Sequence, residues 1–134
     1  MKTFKLIIES TEDGIWGRWE HDGNIIVAEG NTLEALKENF VEVVNLYFEE
    51  TKYPQVVSNK VRFEFHVDLE NLFEVNNYIN ISKLAENVGI NKSLLRQYAK
   101  GIKYPSLSQA LKIERALKNI GSNLLSTKLV MKER

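Results

Sequence analysis

Five carboxylates in the first half of the chain, Glu9, Asp13, Asp22, Glu64 and Asp68, are of the type that holds magnesium for phosphodiester cleavage. That chemistry needs several of them to converge on one ion. Their spacing shows no such convergence, and Asp13 and Asp22 each precede a glycine, as turn residues do. His21 and His66 are too few and too isolated to suggest a metal site. The absence of cysteine excludes disulfides, thiol catalysis and cysteine zinc sites. No glycine-rich phosphate loop and no serine in a nucleophile elbow is present. No catalytic residue, metal or cofactor is therefore expected. The polar residues that do suggest chemistry lie close together: Asn91, Lys92, Ser93, Arg96 and Gln97, then Lys100 and Lys103. Side chains of these types make charge-assisted and amide hydrogen bonds, which suits a polyanionic partner. Trp16 and Trp19 fall on opposite faces of one strand. Trp19 is expected to pack in the core, which leaves Trp16 as an aromatic anchor for a partner.

The elements that must position these residues change character part-way along the chain. Phe4, Leu6 and Ile8 alternate within Thr3 to Glu9, and Ile15 to Glu20 favours a strand. Asp22-Gly23 is a two-residue hairpin signal leading into a third strand through Ile25, Ile26 and Val27. These predict an antiparallel meander. Asn31, with Glu34 three residues on, predicts the cap of a helix whose apolar stripe is Leu33, Leu36, Phe40, Val43, Val44 and Tyr47. Thr51 to Asn59 reads as a loop around Pro54. Val61, Phe63, Phe65 and Val67 alternate with Arg62, Glu64 and His66, which predicts a fourth strand with His66 exposed.

From Asp68 the period changes from two to about 3.6. Asp68 is expected to cap a short helix with Leu69, Leu72 and Phe73. Asn80 caps a helix over Ile81 to Val88, Gly89 breaks it, and Asn91 caps another that ends at Gly101. Pro105 and Ser106 open a longer helix carrying Leu107, Ala110, Leu111, Ile113, Leu117 and Ile120. Gly121 bends or ends it, Leu124 and Leu125 continue the core, and Met131 to Arg134 fray. The fold class expected is α+β: a small antiparallel sheet with one packed helix over 1–67, then an all-α domain over 68–134.

The chain has no net charge, but the balance is uneven. Residues 1–68 carry 7 Lys/Arg against 13 Asp/Glu, a net −6, and residues 69–134 carry 11 against 5, a net +6. The acidic half would attract a basic partner and the basic half a polyanion. The longest apolar run is four residues, Ile25 to Ala28, far short of a membrane span. No secretory signal core follows Met1-Lys2-Thr3-Phe4-Lys5, so a cytoplasmic protein is expected.

Within Ile81 to Lys100, Leu84, Val88, Ile90, Leu95 and Tyr98 supply a shared core. Ala85 lets a second helix approach closely, and Gly89 permits the tight turn. This unit, with Gly101, Pro105 and Ser106 after it, resembles the lambda-repressor and Cro-like helix-turn-helix family over roughly Leu69 to Leu125. The resemblance implies that the helix opened by Asn91 enters the DNA major groove, where Lys92 and Arg96 would suit guanine edges, Gln97 adenine, and Lys100 and Lys103 the flanking phosphates. Where that family often has a glutamine that clamps backbone and base contacts, this chain has Ile81, which cannot hydrogen-bond. In the first half, Glu12-Asp13-Gly14 after a strand and Gly30-Asn31-Thr32-Leu33-Glu34-Ala35-Leu36, then Asn39, resemble the HicB antitoxin family over roughly Thr3 to Tyr47. That resemblance implies a partial RNase H-like domain binding a small basic ribonuclease toxin of the HicA type. The loop between the second and third strands is shorter here than in that family, only His21-Asp22-Gly23.

Together these readings predict the antitoxin of a type II toxin-antitoxin system. Its N-terminal domain would occlude the mRNA-cleaving toxin through Glu9, Glu12, Asp13, Trp16, Glu34 and Glu38. Its C-terminal domain would repress its own operon by binding double-stranded operator DNA as a dimer, since one such motif reads only a half-site. A homo-oligomer of even order is expected. The alternative is a stand-alone helix-turn-helix regulator whose N-terminal domain senses a ligand or dimerises.

Overall fold

The computed structural model describes residues 2–51 and 61–130, which divide into two compact units, 1–69 and 70–134. Most of the expected loop at 51–59, from residue 52 on, and the tail from Met131 lie outside the described residues. Among the described residues, no helix is long and apolar enough to cross a membrane.

The first unit has strands β1 (Lys2–Thr11), β2 (Gly14–His21) and β3 (Asn24–Gly30), helix α1 (Leu33–Thr51) and strand β4 (Val61–Val67). The sheet order is β3-β2-β1-β4. The β2–β3 hairpin closes through Asp22 and Gly23, both left-handed at φ 50° and 79°, as a tight two-residue loop requires. β1–β2 and β2–β3 are antiparallel, as the meander predicts. β4, however, runs parallel to β1, pairing Phe4 with Phe63 and Leu6 with Phe65. The sheet is therefore mixed rather than all antiparallel. The alternation in β4 encodes a buried face, but neither a partner nor a direction.

Helix α1 covers one face of this sheet. Its stripe is Leu36, Phe40, Val44 and Phe48, all essentially buried. Phe48, one turn beyond Val44 and one residue beyond Tyr47, where the sequence pattern ended, completes the stripe. Phe4, Leu6, Ile8, Ile26 and Ala28 meet the helix from below. Phe4 sits at the centre of an aromatic cluster, with ring centroids 4.9 Å from Trp19 and 5.4 Å from Phe40. Edge-on pairs of this kind add about 0.5–1.5 kcal/mol each beyond area burial. The α1 cap is Thr32, not Asn31: its Oγ1 accepts from the Ala35 amide at 3.1 Å. Two adjacent residues could both cap, and the helix start at Leu33 selects the second.

The second unit has α2 (Glu70–Val75), α3 (Ile81–Val88), α4 (Lys92–Ala99) and α5 (Leu107–Leu125). α2 packs on α4, and α3 on both α4 and α5. Leu84, Ala85, Leu95, Tyr98, Ile113 and Ala116 form the core. Ala85 is wholly buried where α3 and α4 cross, as its size predicts. Two expectations for α5 are corrected. Gly121 does not end the helix, and Leu124 and Leu125 are 63% and 89% exposed because α5 outruns the helices of its own unit. Leu111 is also exposed.

Candidate nucleic-acid interface

The turn between α3 and α4 is built from residues that fix its geometry. Asn80 caps α3 by accepting from the Lys83 amide at 3.1 Å. Gly89, at φ 86°, ends α3 in the left-handed conformation, and the Ile90 amide then reaches back to the Ala85 carbonyl at 3.1 Å. Asn91 caps α4, its Oδ1 accepting from the Ser93 and Leu94 amides at 2.8 and 3.3 Å. Asn91 thus commits its side-chain oxygen to the helix. α4 ends in the same way as α3, with the Ile102 amide on the Gln97 carbonyl at 2.9 Å. Ser106 caps α5 through the Gln109 amide.

These caps orient α4 with Leu95 and Tyr98 inward. Lys92, Ser93 and Arg96 are exposed, Gln97 is half-buried, and Lys100 and Lys103 are exposed just beyond the helix end. The seven residues chosen from sequence therefore lie on one short helix and the turn after it. Two of them hold partners on α3. Arg96 donates from Nη2 to the Ser82 hydroxyl at 3.0 Å, and Lys92 Nζ lies 3.8 Å from the Glu86 carboxylate. Ser82 was not singled out from sequence, because nothing in a spacing of fourteen residues signals the bond. It stands beside Ile81, so a polar link joins α3 to α4 next to the position where the glutamine is missing.

The comparisons with known proteins bear on this unit. Residues 69–121 match the helix-turn-helix family, HTH_3. The matched stretch runs from just before α2 into α5 and supports a DNA-binding transcription regulator with operator DNA as its partner. The lambda-repressor and Cro-like resemblance of the C-terminal half of the chain is thereby supported. No curated protein and no solved structure matches the chain.

The toxin-contact candidates of the first unit fall in three places. By strand register, Glu9 pairs with Trp16 and Trp16 with Glu29, forming a row on the sheet face that α1 leaves open. Trp16 is 42% exposed, whereas Trp19 packs against Phe4. Glu12 and Asp13 are exposed in the β1–β2 turn. Glu34 and Glu38 are exposed on α1, in the other layer, so the six residues do not form one patch.

The five carboxylates first considered for a metal are dispersed, and among the described residues no cluster of three or more His, Asp or Glu could hold one. Asp68 instead accepts from Arg18 at 3.2 Å. The Asp68 amide also extends the β1–β4 ladder by donating to the Ile8 carbonyl, and α2 begins only at Glu70. His66 is not an exposed strand residue. Its side chain retains 16% exposure and lies 2.8 Å from Glu64, and this hydrogen bond holds the Glu64 carboxyl below its ordinary value. His21 stacks on Trp19 and meets the Tyr47 hydroxyl at 3.2 Å.

Lys100 and Lys103 provide the first testable consequence. Replacing either with alanine is expected to weaken binding to operator and random DNA alike. It should also reduce the salt slope by about one for each phosphate that a protomer no longer neutralises. Affinity across a salt series checks this; a weakening confined to the operator would reassign these lysines to base edges.

Proposed function

We propose that the protein is an antitoxin-repressor. Its basic helix-turn-helix unit binds the operator of its own operon, with α4 in the major groove. Its acidic unit binds and occludes a small basic ribonuclease toxin of the HicA type. The observation that carries this reading is the joining of a β-β-β-α-β unit of net −6 charge to a helix-turn-helix of net +6. A free regulator has no need of so acidic a companion, whereas a basic toxin would be steered to it. Trp16, exposed between Glu9 and Glu29, is the candidate anchor: the aromatic would set dissociation and the surrounding charges association.

The test is co-expression of the full chain with a short basic HicA-type protein, sought in the adjacent reading frame. Growth should be rescued, and Trp16→Ala should weaken rescue more than Glu34→Ala or Glu38→Ala. Failure of the wild type to rescue growth, with operator binding retained, would leave a stand-alone regulator.

A further inference from the structure

α3 and α4 meet across the turn with two polar side chains apiece, four residues apart on each helix. Ser82 and Glu86 share one face of α3, and Lys92 and Arg96 one face of α4, since residues at i and i+4 are neighbours on a helix. The pairs meet in reverse order. Arg96 donates from Nη2 to the Ser82 Oγ at 3.0 Å, and Lys92 Nζ lies 3.8 Å from the Glu86 carboxylate. Both cations of α4 are thus drawn to its α3 side, but they are not held alike. The Lys92 and Glu86 side chains retain 51% and 56% exposure, and Glu86 is shared with Lys83, also at 3.8 Å. An ion pair so open and so divided contributes little. Ser82 is half-buried, and its hydroxyl sits on a short side chain in the first turn of α3. Such an acceptor fixes the direction of the guanidinium as a long, flexible carboxylate cannot. Ser82 engages a single N–H of the five that a guanidinium carries, so the rest of the planar fork stays open to DNA.

We propose that Ser82 is a specificity-determining positioning residue: it holds the Arg96 guanidinium in one direction before DNA arrives, so that Arg96 meets a base edge. The proposal rests on the reading of α4 as the DNA-facing helix. A free arginine gives up its rotamer freedom on binding, whereas an arginine already held has given it up beforehand. At the operator, that saving appears as affinity for the one base edge that lies in the held direction. On random DNA it gains nothing, because phosphates surround the helix on both sides and a free arginine reaches them without guidance. Discrimination between sequences therefore depends on a residue of α3 that need not touch a base itself.

The experiment measures the affinity of the full chain for two duplexes, the DNA upstream of its own reading frame and a scrambled duplex of the same composition. Side-chain NMR of the DNA-free protein accompanies it. In the wild type, the Arg96 Nε–H group should be more ordered than that of Arg115, an exposed arginine on α5. Ser82→Ala should bring Arg96 down to the level of Arg115. It should also lower affinity for the upstream duplex roughly 2- to 10-fold per half-site and leave the scrambled duplex unchanged. Ser82→Thr, which keeps the hydroxyl, should restore both order and affinity. In an Arg96→Ala background, Ser82→Ala should have no further effect. The melting temperature should hold, because Asn80 and not Ser82 caps α3. Equal weakening on both duplexes, or a Ser82→Ala effect that persists without Arg96, would show that the hydroxyl touches DNA itself. Either result overturns the proposal and leaves α4 as the DNA-binding helix, as does a wild-type Arg96 no more ordered than Arg115. An ordered Arg96 in a protein that binds the two duplexes equally would overturn sequence-specific binding there, and with it the role given to Ser82.

Discussion

Leu95→Ala is expected to destabilise the helix-turn-helix unit by about 2–5 kcal/mol, the usual cost of removing a fully buried leucine side chain. Leu95 is 0% exposed, on the inner face of α4. A unit of this size has only marginal stability, so DNA binding should be lost for all sequences together. The effect should also be local. Both tryptophans, Trp16 and Trp19, lie in the first unit, while α3, α4 and most of the remaining helix lie in the second. In a denaturant titration, the far-ultraviolet circular dichroism transition should move to lower concentration while the tryptophan emission transition stays in place. Coincident movement of both signals would mean that the units unfold as one.

Arg96→Ala and Gln97→Ala should act in the opposite pattern, leaving stability intact and changing discrimination. Each is expected to cost about 1–3 kcal/mol per half-site on the operator and much less on random DNA. Arg96 is exposed and its bond to Ser82 is a surface interaction, so its removal should scarcely move the melting temperature. Operator and random-DNA affinities, measured after the melting temperatures are matched, check this. Equal weakening on both DNAs would show that α4 does not read bases through these residues.

The local punctuation of the fold was legible because a single residue type decides it. Asp22-Gly23 supplies the left-handed turn, Gly89 ends α3, and Asn80, Asn91 and Ser106 cap their helices as expected. What could not be read depends on the partner rather than the residue. The parallel pairing of β4 with β1 is a choice among strands that all alternate. Thr32 displaces Asn31 as the cap because two neighbours had the same chemistry. Leu124 and Leu125 are apolar without being buried, since no helix of their unit extends far enough to cover them. His66 bonds to Glu64, a neighbouring carboxylate that alternation placed on the same face, and is largely covered rather than exposed. For the candidate DNA-contacting side chains, the exposed helical surface was predictable from the core residues between them, whereas the Ser82–Arg96 bond depends on how α3 and α4 cross.

The parallel β1–β4 ladder joins residues 2–8 to 61–67, the two ends of the first unit. During synthesis, β1, β2 and β3 can pair as they emerge, but the inner flank of β1 stays bare until residue 67 has left the ribosome. A product that stops earlier therefore presents a ten-residue strand with one flank of unmatched backbone, a substrate for proteolysis and aggregation. A product that reaches Leu69 has its sheet closed, while the DNA-binding helices are still unmade. The order of the two halves along the message is thus also an order of assembly: the acidic unit can be complete on the nascent chain before the same polypeptide has any helix-turn-helix to place on DNA.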